Sequence, residues 1–180
     1  MQELSMNILD IAENSVKAGA SLVKILLEYG EDSTLLLKIE DDGSGMDKEV
    51  LERVTNPFFT SRTTRKVGLG VPFLKMAAEM TGGSFSIESE TGKGTVVTAL
   101  FHTDHIDFVP LGDMGSTVSV LISANAHMDF IYTIRRNGNE FVLDSREIKG
   151  ILDGVPADSP EVAVFIREYT EENSRELFAE

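Results

Sequence analysis

Apolar and small residues recur at helical spacing from the start of the chain. Leu4, Ile8, Ile11, Ala12 and Ser15 share one side of a helix running from Gln2 to about Lys17. Glu3, Asn7, Asp10 and Asn14 form a second stripe at i, i+4, i+7 and i+11. A merely solvated face more often carries Glu, Lys or Gln, because Asn and Asp are mediocre helix formers, so this stripe is a candidate for function as well as for solvation. Gly19 suits the left-handed position that stops the helix. Two apolar runs, Ser21 to Tyr29 and Thr34 to Asp41, predict strands joined by a turn at Gly30-Glu31-Asp32-Ser33. A short helix is predicted over Lys48 to Val54. A longer one opens at Gly68-Leu69-Gly70-Val71, with Pro72 in its first turn, and reaches about Met80. Ser84 to Glu90 and Thr95 to Phe101 flank Thr91-Gly92-Lys93-Gly94 as a hairpin. Helices gathered on one face of a largely antiparallel sheet accommodate this order. The expected class is α+β, a two-layer α/β sandwich.

Beyond His102 the pattern changes. Asp104 to Met114, with Pro110 and two glycines, reads as a surface connector, and the β-branched run Ser116 to Ser123 reads as a strand. Asp129 to Arg136 and Asn139 to Leu143, separated by Asn137-Gly138, predict a hairpin with a two-residue turn. Asp144-Ser145-Arg146-Glu147 resembles a capping box opening a short helix to Leu152. Ser159-Pro160-Glu161 starts a helix expected to run from Glu161 to about Ser174, and the acidic tail Glu171 to Glu180 is expected to fray. The expected division is residues 1–102 as the main domain and 103–180 as a small accessory α/β module without a chemical motif of its own.

Charge narrows the function. With 30 acidic against 16 basic side chains the formal charge is −14, a field that repels nucleic acid and anionic membrane. Neither is expected as a partner. A polyphosphate ligand would need a local cationic patch and a metal, and Arg62, Arg65 and Lys66 provide such a patch in a loop rich in hydroxyls. There is no cysteine, hence no thiolate chemistry. The start of the chain lacks a leader pattern and no run approaches the ~20 apolar residues of a membrane span, so a cytoplasmic location is expected.

The candidate chemistry centres on Asp41-Asp42-Gly43-Ser44-Gly45-Met46, which closes a strand with a carboxylate and two glycines. Glycines there let a flat ring or a phosphate approach the backbone, and the carboxylate accepts from an amine. The Gly68 to Val71 turn feeds a helix N-terminus, where free N–H groups and the dipole favour an anion.

Taken together, five stretches in fixed order resemble the GHKL superfamily of ATP-binding domains (gyrase, Hsp90, histidine kinase, MutL), which share the Bergerat fold. Glu13-Asn14-Ser15-Val16-Lys17-Ala18-Gly19-Ala20 is similar to the N box, Asp41-x-Gly43-x-Gly45 to the G1 box, Asn56-Pro57-Phe58-Phe59-Thr60-Ser61-Arg62 to the F box of sensor kinases, Gly68-Leu69-Gly70-Val71 to the G2 box, and Gly92-Lys93-Gly94-Thr95 to the final box. The resemblance implies that Asn14 gives an oxygen to Mg²⁺ and that Asp41 accepts the adenine amine, helped by Thr95 through water. It further implies that Gly43, Gly45 and Met46 line the adenine pocket, that Lys17 and Arg62 approach ribose or phosphates, and that Gly68, Leu69, Gly70 and Val71 hold the phosphates. Asp10 lies one turn before Asn14, where hydrolysing members carry a glutamate base, so it is either a general base or only a partner of metal-bound water. His102, His105 and His127 lack a phosphoacceptor context, and the N box begins almost at Met1, so the helical hairpin that carries a phosphoacceptor in sensor kinases is not expected here. Sensor-type autophosphorylation is therefore not expected. The expected function is an ATP–Mg²⁺ binding domain of the histidine kinase-like type, a stand-alone regulatory protein kinase or an anti-sigma-type kinase acting on a protein partner, with a homodimer allowed. The alternatives are an ATP-gated switch with slow hydrolysis and a nucleotide-binding regulator without turnover.

Overall fold

The computed structural model describes residues 3–56 and 69–179. Helix α1 (Leu4–Lys17) leads into the antiparallel strands β1 (Leu22–Tyr29) and β2 (Thr34–Asp41). Helices α2 (Lys48–Val54) and α3 (Gly70–Met80) precede a second antiparallel pair, β3 (Ser84–Glu90) and β4 (Gly94–His102). Helix α4 (Met114–Ala124), strands β5 (Asp129–Arg136) and β6 (Asn139–Asp144), and helices α5 (Ser145–Ile151) and α6 (Pro160–Phe178) complete the chain. The strands form one sheet in the order β3-β4-β2-β1-β5-β6.

Alternation along the strands turns one face inward. Val23, Ile25 and Leu27 on β1, Leu35, Leu37 and Ile39 on β2, and Phe130, Tyr132 and Ile134 on β5 are buried, while the residues between them are partly or wholly exposed. Leu4 and Ile8 of α1, Leu74 and Ala78 of α3, Val118, Leu121 and Ile122 of α4, and Val162 and Ile166 of α6 join them in one core. Full burial of each such Leu, Ile or Phe contributes about 1.5–3 kcal/mol. The result is the expected two-layer α+β sandwich of the Bergerat type.

Two expectations need correction, and the open reading of the α1 stripe narrows. Ser116 to Ser123 belongs to helix α4, not to a strand. Met114, Val118, Leu121 and Ile122 keep the helical period, and Asp113 caps the helix by accepting from the Ser116 N–H (2.8 Å) and hydroxyl (2.6 Å), which outweighs the β-branched composition. The acidic tail does not fray at Glu171, because α6 continues to Phe178. The Phe178 ring meets the edge of Tyr29 at 5.1 Å and lies under the Arg136 guanidinium at 4.6 Å, which anchors the last turn. The polar stripe of α1 is not a solvated face, since Asn7 is buried and Asp10 and Asn14 are half-buried.

β5 pairs in parallel with β1, Phe130 opposite Val23 and Ile134 opposite Leu27. Residues after 102 thereby extend the sheet that the first hundred build. The connector before α4 has a second use. Helix α1 lacks a side-chain cap, and the carbonyls of Pro110 and Leu111 accept from the N–H groups of Leu4 (2.9 Å) and Ser5 (2.8 Å). The Asn137-Gly138 turn has φ of 51° and 77°, as a two-residue hairpin requires.

Candidate functional site

The end of β2 and the last turn of α1 meet through the backbone. Ser44 N–H donates to the Ala18 carbonyl at 2.9 Å, and Gly92 N–H donates to the Ser44 carbonyl at 2.7 Å. The loop after β2 is thus pinned between α1 and the β3–β4 turn. Gly45 has φ +65°, and a Cβ there would lie 2.0 Å from the Glu90 carbonyl oxygen. A Cβ on Gly43 would meet Ala18 Cβ at 2.9 Å. Both glycines are demanded by this packing as well as by any ligand.

A cavity of about 280 Å³ opens beneath this loop. Ile11, Ile39, Val54, Val71, Ile87 and Val97 give it apolar walls, while Asn14, Ser15, Lys17, Asp41 and Thr95 supply polar groups. A largely apolar slot with a few convergent polar groups is what a flat heterocycle needs. Asp41 stands opposite Thr95 in the β2–β4 ladder, so both project to the same side. The Asp41 carboxylate accepts from the Ser15 hydroxyl at 2.6 Å on Oδ2 and from the Gly43 N–H at 2.9 Å on Oδ1. Next to Thr95 on the neighbouring strand β3, Ser89 Oγ accepts from the Met46 N–H (2.8 Å) and lies 3.0 Å from the Gly94 carbonyl and 2.9 Å from Thr95 Oγ1.

Of the expected site residues, Asn14, Lys17, Asp41, Gly45, Met46, Val71 and Thr95 line this one cavity. Gly43 stands behind it, bonded to Asp41. Gly70 begins α3 against α1, where a Cβ would come 2.8 Å from that of Asp10. Asp10 itself is not among the lining residues, and Leu69, the residue before α3, is exposed. Arg62 and Gly68 lie outside the described residues, as do Pro57 to Thr60 and the cations Arg65 and Lys66. Sequence reasoning missed Ser15 and Ser89. A serine on a buried helix face or inside a strand carries no signal until its partner is known. The neighbouring Asp42 is held below the usual carboxylate range by the Ser21 hydroxyl and by the Leu22 N–H at 2.9 Å.

Among the described residues no three His, Cys, Asp or Glu side chains gather into a metal cage. Asn14, half-buried on the cavity wall, offers one neutral oxygen. That donor set fits a hard cation held mostly by ligand phosphates and water. The described helices include none long and apolar enough to cross a membrane.

Curated relatives of the chain include proteins named as sporulation and sensor kinases. The chain is 36% identical over 92 residues to Sporulation kinase D of Bacillus subtilis (strain 168), covering 51% of this chain and 18% of that protein. It is 31% identical over 83 residues to Sensor histidine kinase YvrG of the same organism, covering 44% and 14%. With Sensor protein SrrB of Staphylococcus aureus (strain NCTC 8325 / PS 47) it shares 35% over 100 residues, covering 53% and 17%. The chain therefore spans less than a fifth of the length of these relatives. A solved N-terminal domain of a DNA repair protein superposes with a TM-score of 0.54 at 16% identity, over 80% of this chain and 53% of that one, which speaks to the fold alone. The family model for histidine kinase-, DNA gyrase B- and HSP90-like ATPases matches residues 2–105, and the chain belongs to that family.

Proposed function

We propose that this chain binds ATP with Mg²⁺ in the cavity between α1, the end of β2 and the start of α3, and that the bound nucleotide serves a protein partner as the substrate of a regulatory kinase. The observation that carries the proposal is the Asp41 carboxylate, held by two donors at the polar end of an apolar slot. An acceptor-only group there reads the exocyclic amine of adenine, with Thr95 assisting through water. Ile39, Ile87 and Val97 cover the faces of the ring, and Gly45 and Met46 close its edge.

Asn14 would hold the metal through its carboxamide oxygen, and Lys17, almost one helical turn further on the same wall, is placed for ribose or phosphate oxygens. When bound, Mg²⁺ neutralises charge on the triphosphate, which the acidic surroundings make necessary at a formal charge of −14. Helix α3 has no side-chain cap, so its first-turn N–H groups and dipole suit the phosphates, with Leu69, Gly70 and Val71 at that end. Arg62 and Gly68 keep the phosphate-facing roles that the sequence motifs imply. Residues 103–180 are the accessory part in this proposal, joined to the nucleotide half through β5 on β1. The relatives' names, sensor and sporulation kinases, support the kinase reading over the switch reading.

Calorimetric titration with Mg²⁺ and a non-hydrolysable ATP analogue tests the site. Asp41→Asn turns a donor toward the adenine amine and loses a charge-assisted bond, a loss of about 2–4 kcal/mol or roughly 30- to 1,000-fold in affinity. Unchanged affinity in that variant removes the adenine assignment. Transfer of labelled phosphate to a partner protein would separate a kinase from a non-transferring ATPase.

A further inference from the structure

We infer that a second cavity, of about 430 Å³ between α6, the connector before α4 and strand β5, binds a primary alkylammonium ion. It shares no lining residue with the nucleotide cavity and does not depend on the reading above. Tyr132 and Ser174 line it, and neither hydroxyl has a hydrogen-bond partner. Tyr132 is 1% exposed, so its hydroxyl is an orphan inside the protein, and such a group is costly until a ligand or an ordered water completes it. The two hydroxyls are near neighbours, yet no hydrogen bond joins them. Burial pushes the Tyr132 phenol up, which keeps it a neutral hydroxyl with lone pairs to offer.

Two half-buried carboxylates face the same cavity. Glu3 sits against Gly112, where an added Cβ would come 2.5 Å from its Oε2, and Glu171 sits against Gly115, where an added Cβ would come 2.7 Å from its Cγ. Both acids are therefore held beside the start of α4, whose dipole favours their ionised form. Among the described residues Glu171 has no ion-pair partner, and Glu3 receives only a long bond, 3.4 Å, from the Ser5 hydroxyl. Asp113 also lines the cavity but is spent on capping α4. Arg175 is exposed and pairs with neither glutamate, so three carboxylates against one guanidinium leave the lining negative. These acids do not gather into a metal cage, and the charge calls instead for a cation that brings its own N–H donors. An ammonium has three donors and no acceptor, and Glu171 with the two orphan hydroxyls offers acceptors only it can use in full. Leu111, Ile134 and Phe178 give an apolar wall for the alkyl chain behind it.

Calorimetry on the full chain with n-butylamine, at neutral pH and about 0.15 M salt, tests the site. Tetramethylammonium is the control of equal charge without N–H donors, and butyrate the control of opposite charge. Saturable butylamine binding in the millimolar range is expected, at least about 10-fold tighter than either control. Tyr132→Phe is expected to weaken it about 5-fold or more and Glu171→Gln about 10-fold, with ATP-analogue affinity unchanged in both. Because the Tyr132 hydroxyl is unpaired in the empty protein, Tyr132→Phe should unfold in urea at a midpoint no lower than that of wild type, which separates loss of the ligand from loss of the fold. The methylamide of Nα-acetyl-lysine carries the same aminobutyl chain on a peptide backbone. Tighter binding of butylamine supports a free amine as the source, and tighter binding of the lysine derivative supports a partner's lysine side chain, through the same ammonium contact. Tetramethylammonium binding as tightly as butylamine would mean that the acidic field alone attracts cations, and would overturn the inference. Butyrate binding best, full amine affinity in Tyr132→Phe, or a lowered unfolding midpoint in that variant would overturn it equally.

Discussion

Gly94 joins the site to the stability of the sheet, and replacing it with alanine measures that link. Its φ is +104°, outside the range that side chains favour, and a Cβ there would sit 1.9 Å from the Asp41 carbonyl oxygen and 3.0 Å from the Asp42 Cα. Ordinary contact begins near 3.4 Å, so β2 and β4 must part by roughly 1.5 Å at the pair Asp41 and Thr95. Backbone strain contributes about 1–2 kcal/mol. Weakened ladder hydrogen bonds contribute about 1 kcal/mol each, for a total near 3 kcal/mol. Gly92 is the control, with φ +82° and nothing within 4 Å of an added Cβ, so Gly92→Ala is expected to cost about 1 kcal/mol of strain alone. Urea unfolding of the two variants, with m unchanged, gives the stability difference, and ATP-analogue titration gives the effect on the site. Gly94→Ala should lose at least tenfold in affinity because Asp41 moves with the strand. Equal stabilities for the two variants, or full affinity in Gly94→Ala, would refute the reasoning.

Asp10→Asn is expected to leave ATP-analogue affinity within about 3-fold and to remove 10²-fold or more of any ATP turnover if Asp10 is the base. Turnover that survives in a steady-state phosphate-release assay removes it from that role. Asp113→Ala, which uncaps α4, is expected to cost about 1 kcal/mol at pH 7. The Ser116 hydroxyl holds the Asp113 carboxyl below its ordinary range, so this contribution is full above the unfolded value of about 3.9 and is lost as the pH falls through the lower folded value. Denaturation curves of wild type and variant should converge in acid. Phe178→Ala is expected to release the last turns of α6, read as faster amide exchange over residues 171–178 at a cost of about 1 kcal/mol. Unchanged exchange there would remove the anchoring role of the ring.

Elements whose signal is local were legible in the sequence. Helix α1 shows its period, and the β5–β6 turn carries the Asn-Gly chemistry that a two-residue hairpin needs, whereas in the β1–β2 turn the left-handed residue is Ser33 at φ 58°. Helix α4 was misread because Thr117, Val118, Val120 and Ile122 favour strands by composition, whereas the Asp113 cap and the 114, 118, 121, 122 spacing favour a helix. The anchor of α6 was invisible, since Phe178 meets Tyr29 and Arg136 from strands far away in the chain. The Asp41 and Thr95 pairing was legible as two motifs, but the hydroxyls that orient them were not. Ser15 reads as a small core residue until the fold brings Asp41 to it across 26 positions.

Asp42 shows why the C-terminal hairpin belongs to the mechanics of the site. Its carboxylate accepts from the Ser21 N–H at 2.7 Å and the Leu22 N–H at 2.9 Å, and also from the Ser21 hydroxyl. The exit of β2 is thereby tied to the entry of β1. Ser21 then passes the tie on, since its carbonyl accepts from the Asp129 N–H at 2.8 Å, at the first residue of β5. β5 in turn is held at that end by Lys149, which donates to the Asp129 carboxylate at 2.8 Å and to the Met128 carbonyl at 2.6 Å. One continuous run of hydrogen bonds therefore leads from α5 through the start of β5 to the residue beside Asp41. A shift of the hairpin along β1 cannot leave that run intact, because a parallel register moves every bond together. The first residues of β5 and the residue beside Asp41 are therefore held by one set of hydrogen bonds, at the end of the sheet where the cavity opens.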